Sequence, residues 1–128
     1  MDRADVEHWI ADYRQAWSTD DPAQVGALFT EDATYSPFPW PREANVWRGR
    51  DTIVQKWLGH GDSKIGWRFD HEIIAVDGDT AVVEGWTDYD RGDAPPWEEQ
   101  YANLWVIRFA EDGRARSFRE WWVQRPTD

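Results

Sequence analysis

The sequence predicts an α+β fold in which short helices pack on one face of an antiparallel sheet. Three observations predict it. In the N-terminal half, apolar residues recur at three- and four-residue spacing, the period of an amphipathic helix. From Ile65 onward the period changes to two, the signature of strands with one buried face. Three turn signals rich in Gly, Asp and Pro then cut that second half into four strand-length segments, an order of elements that reads as helices followed by a meander.

The first helix is expected over residues 2–17. Val6, Trp9, Ile10, Tyr13, Ala16 and Trp17 form one apolar stripe, with Asp2, Arg3, Asp5, Asp12, Arg14 and Gln15 on the solvent side. The run from Ser18 to Pro22 stops it and starts another, because Asp21 suits an N-cap and Pro22 a first helical position. That second helix, residues 22–29, buries Val25, Leu28 and Phe29. A short strand follows at 33–35. The stretch Ser36-Pro37-Phe38-Pro39-Trp40-Pro41 is too proline-broken for a helix or a central strand, and reads as a loop holding two rings at a pocket lip. Residues 45–48 add a brief strand. A third helix covers 51–58, with Ile53, Val54, Trp57 and Leu58 on its apolar face, and Gly59 and Gly61 end it. The four long strands are expected at 65–76, 80–89, 98–109 and 114–124, joined by turns at 77–79, 91–96 and 111–113. No repeat or linker interrupts the chain, so residues 1–128 are expected to form one domain.

Composition narrows the class of function. The 128 residues are 41% hydrophobic and 30% charged, a globular balance. A net charge of −11 repels phosphate backbones and anionic lipid heads, so neither nucleic acid nor a membrane surface is an expected partner. There is no cysteine, which excludes disulfides and thiolate chemistry. The N-terminus lacks an apolar segment of signal-peptide type and no run reaches the length of a membrane span, so a cytoplasmic location is expected. His8, His60 and His71 share no metal-ligand spacing, and no glycine-rich phosphate loop is present; neither metal nor other cofactor is expected. The unusual feature is 11 Trp, with 4 Tyr and 5 Phe. Rings at this density fill cores, line pockets for flat ligands or build subunit interfaces.

Several segments, taken in order, resemble the nuclear transport factor 2-like superfamily, and especially its SnoaL-like and ketosteroid isomerase-like members. The carriers are the runs Leu28 to Tyr35, Gly49 to Ile53, Val76 to Val83 and Asn103 to Phe109, with Phe118-Arg119-Glu120-Trp121-Trp122 completing the set. The resemblance spans essentially the whole chain. It implies a cystatin-like cone: a curved antiparallel sheet wrapped around three N-terminal helices, leaving an apolar cavity. It also implies a homodimer formed through the outer sheet face, which the outward Trp86 and Trp121 would suit. It does not fix an activity, because such proteins include isomerases, cyclases, dehydratases, epoxide hydrolases and pure binding modules.

Residue by residue, the isomerase pattern is only partly present. Tyr13 falls where the resemblance puts an oxyanion-holding tyrosine on the first helix. The general base, three residues after Thr34, is replaced by Pro37; the acidic donor by Trp105; the supporting tyrosine of the third helix by Trp57. The epoxide-hydrolase pattern needs an arginine between aspartates on neighbouring strands, and none appears among Glu99, Tyr101, Asn103 and Trp105, the positions expected to face inward. On the last strand the resemblance puts Phe118, Glu120 and Trp122 inward and Arg119, Trp121 and Val123 outward. SnoaL-like cyclases carry a histidine where this chain has Glu120, and an aspartate where it has Trp122. A carboxylate among indoles suits proton transfer.

The candidate catalytic residues are therefore Glu120, Tyr13 and Asn103, and the candidate ligand-binding residues Trp17, Trp40, Trp57, Tyr89, Tyr101, Trp105, Phe118 and Trp122. A plainer account stands beside each. Glu120 pairs with Arg116, Arg119 or another base; Tyr13 is a core tyrosine; Asn103 bridges strands. His71, between Asp70 and Glu72, reads as a solvated or cross-strand partner of a carboxylate. Two functions follow: an acid–base isomerase, cyclase or lyase acting without cofactor on a hydrophobic aromatic or polycyclic substrate, or a module of the same fold that binds a small hydrophobic ligand, or assembles, without chemistry.

Overall fold

The computed structural model describes residues 1–60, 66–90 and 99–126. Helix α1 (Arg3–Thr19) opens on a capping box, in which Asp2 accepts from the Asp5 amide and Asp5 accepts from the Asp2 amide. Its expected stripe is the one buried: Val6, Trp9, Ile10, Tyr13, Ala16 and Trp17. Asp21 caps α2 (Pro22–Ala27) by accepting from the Ala23 amide. The chain continues through strands β1 (Phe29–Ser36) and β2 (Trp47–Arg48), helix α3 (Arg50–His60), and strands β3 (Gly66–Asp77), β4 (Thr80–Asp90), β5 (Glu99–Phe109) and β6 (Ala115–Gln124). One six-stranded sheet results, in the order β2-β1-β6-β5-β4-β3. It is curved around the N-terminal helices, the cystatin-like α+β arrangement.

Three elements differ from the sequence expectation. The second helix stops before Phe29, because the Leu28 carbonyl accepts from the Ala115 amide at 2.8 Å and from Trp9 Nε1 at 3.1 Å, which commits it to the sheet. The short strand expected at 33–35 extends back to Phe29. Thr30, Glu31 and Asp32 lie on its exposed part and give no alternation to read. This strand pairs parallel with β6, closing the sheet in a way that a simple meander does not. The third helix passes through Gly59 to His60. The turn expected at 91–96, and Gly61, fall outside the described residues.

Inward side chains of the long strands meet the helical stripe. Phe69, Ile73, Ala81, Val83, Trp105, Ile107 and Phe118 are buried against Val6, Trp9, Ile10 and Tyr13. Gly78, at φ 59°, takes the first place of the two-residue turn joining Asp77 to Thr80, a conformation that suits glycine. Gly85, in the middle of β4, serves a different purpose. The Phe69 ring crosses over it, so a β-carbon there would sit 2.5 Å from Phe69 Cε1 and 2.7 Å from Cζ. The ring has no room to retreat, since it stacks on Trp105 at 5.0 Å and is itself 1% exposed. Gly85→Ala is therefore expected to destabilise the protein by about 1–3 kcal/mol, the usual cost of overpacking, as a lower midpoint of urea unfolding. An unchanged midpoint would show that Phe69 moves freely.

Candidate functional site

Between α1 and the concave face of the sheet lies a cavity of about 330 Å³. Its inner wall comes from residues that the core holds fast: Tyr13, Tyr35, Trp57, Thr87 and Trp105, none more than 8% exposed. Trp17 is as deeply buried and forms a side wall, stacked on Trp67 at 4.0 Å and 10°. Towards the mouth stand the half-buried Tyr89, Tyr101, Trp47, Pro37 and Asp20, and Trp122, which is 39% exposed.

Strand pairing explains how the polar groups come together. Thr87, Asn103 and Glu120 lie on the inward parity of β4, β5 and β6, near one another across the sheet. Thr87 Oγ1 donates to Asn103 Oδ1 at 2.7 Å, and Asn103 Nδ2 donates to Glu120 Oε2 at 2.9 Å. Trp105, directly opposite Glu120 in the ladder, donates its Nε1 to the same oxygen at 2.8 Å. Two donors on one oxygen orient the carboxylate and partly replace the water it gave up. The arginines expected as alternative partners are engaged elsewhere. Arg116 bonds Asp79 at 2.6 Å, and Arg119 lies over the Trp121 ring.

A second polar pair sits on the helix side. Tyr13 and Tyr35 share a hydrogen bond between hydroxyls at 3.1 Å. Around them the Tyr13 ring meets Trp57 at 4.9 Å and Trp105 at 4.7 Å, and stacks on Phe118 at 5.6 Å. Burial pushes the Tyr13 hydroxyl well above its ordinary value, and the neighbouring Tyr35 and Glu120 push the same way. It remains a neutral hydrogen-bonding group through the physiological range.

Of the eleven residues singled out from sequence, nine line this cavity: Tyr13, Trp17, Trp57, Tyr89, Tyr101, Asn103, Trp105, Glu120 and Trp122. Two do not. Trp40 is 66% exposed, because Phe38 already fills the place beside Trp122, at 4.9 Å, and Trp40 lies beyond it past the end of β1. Phe118 is fully buried, covered by the rings of Tyr13, Tyr35 and Trp105, so it supports the wall without reaching the cavity. His71 contacts a carboxylate, but that of Glu7 on α1, at 3.0 Å, and not one across the strands. Sequence reasoning missed Tyr35, Thr87, Trp47 and Asp20. Thr87 was available from the parity of β4; Tyr35 needed the β1–β6 pairing. No arginine is among the described lining residues, and no group of three or more His, Asp or Glu side chains that could hold a metal occurs among the described residues.

The Tyr13 geometry has a consequence for alkaline stability. An unfolded tyrosine ionises from about pH 10, while the folded one keeps its proton to higher pH, so stability is full below that point and drains away as pH rises through the gap. Unfolding free energies from urea titrations between pH 9 and 11.5 should fall more steeply for the parent than for Tyr13→Phe, by up to about 1.4 kcal/mol per pH unit. Parallel profiles would mean that Tyr13 ionises as readily in the fold as outside it.

No described helix is long and apolar enough to cross a membrane. No curated protein matches the sequence. Solved structures do match its fold. A cystatin-like protein of unknown function from Methylobium petroleophilum superposes with a TM-score of 0.73 at 20% identity, over 100% of this chain and 82% of that one. An epoxide hydrolase from M. tuberculosis, of the LEH-like kind, gives 0.69 at 18% identity over 94% and 84%. A nuclear transport factor 2-like protein of unknown function from Mesorhizobium loti gives 0.67 at 22% identity over 96% and 95%. The family model described as the SnoaL-like domain matches residues 10–118, from the middle of α1 to the buried Phe118 of β6. The chain therefore belongs to the SnoaL-like family, with the cystatin-like fold of the structures it matches.

Proposed function

We propose that this protein is a cofactor-independent acid–base enzyme, of isomerase, cyclase or lyase type, acting on a small hydrophobic aromatic or polycyclic molecule. The observation that carries this reading is the meeting, in one ring-lined cavity, of an oriented carboxylate and a buried hydroxyl pair. Glu120 moves the proton. Asn103 and Trp105 position it, and Thr87 fixes which way the Asn103 amide faces. In the proposed arrangement Tyr35 donates to the Tyr13 oxygen, leaving the Tyr13 proton for an oxygen of the substrate. The indole walls keep water out, which favours isomerisation or elimination over hydrolysis. The name of the M. tuberculosis relative suggests epoxide opening instead; the absence of arginine among the described lining residues weighs against it.

A non-catalytic ligand-binding module is the second reading. It is favoured by Pro37, Trp57 and Trp105, which stand where the ketosteroid isomerase pattern has acid–base groups. Deuterium exchange separates the two. With a panel of cyclic ketones and enones in D₂O, wild-type protein should speed label uptake beside the carbonyl. Glu120→Gln should lose this by about 10²-fold or more and Tyr13→Phe by a smaller factor. Binding without exchange above buffer, across the panel, would favour the module.

We also infer that the protein forms a homodimer through the outer sheet face. Trp86 and Val123 are exposed there and Leu104 is 39% exposed, and strand register sets them beside Trp121 on adjacent strands. Light scattering at micromolar concentration should give twice the mass of the 15.1 kDa chain, and Trp86→Glu should return it to one. A monomeric parent would remove the interface.

A further inference from the structure

The outer face of the sheet sorts its charges by strand. On β3 and β4 the outward positions bring Asp70, Glu72, Glu84 and Asp88 to one half of that face. On β5 and β6 the outward positions carry Arg108 and Arg119 and no carboxylate. Val82, Leu104, Val106 and Trp121 lie between and among them as an apolar band. Arg68 of β3 meets Asp88 at 2.8 Å, so that pair is neutral within the chain. Glu72 and Glu84 stand directly opposite each other in the β3–β4 ladder, and neither has an ion pair among the described residues. Like charges so placed weaken a sheet. Arg108 and Arg119 likewise have no ion pair among the described residues; the Arg119 guanidinium lies over the Trp121 ring at 4.7 Å instead.

A face with acid on one half and base on the other is complementary to a second copy of itself. We infer that two copies pair about a twofold axis running along the strands, over β5, so that β4 of each subunit lies against β6 of the other. The inference rests on the reading above that the outer face is the dimer interface, and adds how the copies are turned. In a face-to-face pair the axis lies between the sheets. Running along the strands, it reverses strand order and keeps strand direction, which brings the partner's Arg119 over the neighbourhood of Glu84. Glu84 is in line with Leu104 and Trp121 across the sheet, and Arg119 is two residues from Trp121, a rise of about 7 Å. Two long side chains span that offset and the roughly 10 Å between packed sheets. Running across the strands, the axis would lay β4 on β4 and bring the two Glu84 side chains together. Charge selects the first arrangement. Its consequence reaches the cavity: Thr87, Tyr89, Tyr101 and Trp122 lie towards one end of their strands, so both cavities open at the same end of the dimer.

Charge reversal reads the arrangement. Dimer dissociation constants are measured by sedimentation equilibrium at low salt for the parent, Glu84→Arg and Arg119→Glu. Each reversal sets like charges together at two symmetric contacts and should weaken the dimer about tenfold or more. Both side chains lie on the outer face, so far-UV circular dichroism should match the parent, and Glu84→Arg also relieves the repulsion from Glu72. An equimolar mixture of the two variants should recover twice the mass of the 15.1 kDa chain at concentrations where either alone is a monomer, because every such contact in the mixed pair joins acid to base. A dimeric parent whose affinity neither reversal changes would overturn the axis and leave the interface standing. So would variants that pair no better together than apart. If Glu84→Arg pairs with the parent more tightly than the parent pairs with itself, β4 lies on β4 and the inference fails. A monomeric parent would overturn the interface itself, and the axis with it.

Discussion

The structure turns on the contact of Tyr13 with the sheet. This one side chain carries the helical layer into the concavity, touching Trp57 of α3, Trp105 of β5, and both Phe118 of β6 and Tyr35 of β1. Those rings come from four different elements, so their positions are fixed together. Towards the C-terminus of α1, Trp17 stacks on Trp67 of β3 as one side wall, and the cavity opens beside these rings. Towards the N-terminus of α1 the same interface closes fully, with Trp9 packed edge-on against Phe29 and Phe109. Core and cavity are two ends of one aromatic seam.

Within the cavity, polar groups fall into two sets. Strands β4 to β6 hold a chain of hydrogen bonds ending on a carboxylate oxygen, and elsewhere in the lining a phenol of α1 bonds one of β1. No buried side-chain nitrogen or oxygen among the described residues lacks a partner. That satisfaction matters, because a half-paired polar group beside so many rings would cost more than it contributes. The carboxylate is therefore compatible with a stable fold whether or not it performs chemistry. Its place in the lining of a cavity, with indole and amide donors fixing its direction, is the observation on which the proposed proton transfer rests.

Much of this was legible beforehand, for reasons that can be named. The α1 stripe followed from its period, the inward positions of β5 from parity and those of β6 from the family resemblance, so Tyr101, Asn103, Trp105, Glu120 and Trp122 were identified together. A single register slip would have turned all of them outward. What could not be read was pairing between distant segments. Tyr35 lies on a strand whose alternation is broken by the adjacent exposed Glu31 and Asp32, and only its parallel partnership with β6 aligns it with Phe118 and Tyr13. The ranking of positions along one face was equally hidden. Phe118 and Glu120 share a parity, yet three rings cover the first and the second reaches the cavity. Trp40 failed for a simpler reason: loop rings have no periodicity to say where they point.

The departures from the isomerase pattern make sense as one change rather than three losses. With Pro37 on the β1 side, the cavity has no base there, and its oriented carboxylate is on β6. Trp105 then gains a task that an acidic residue at that position could not perform, since an indole donates to Glu120 where a second carboxylate would repel it. Trp57 likewise leaves Tyr13 without a helical phenol, and Tyr35 supplies one from β1 instead. Tyr13 is the group common to both layouts. A substrate held by its oxygen at Tyr13 would thus present a different edge to the base than in those isomerases. On the proposed function, proton transfer would then act on a different carbon.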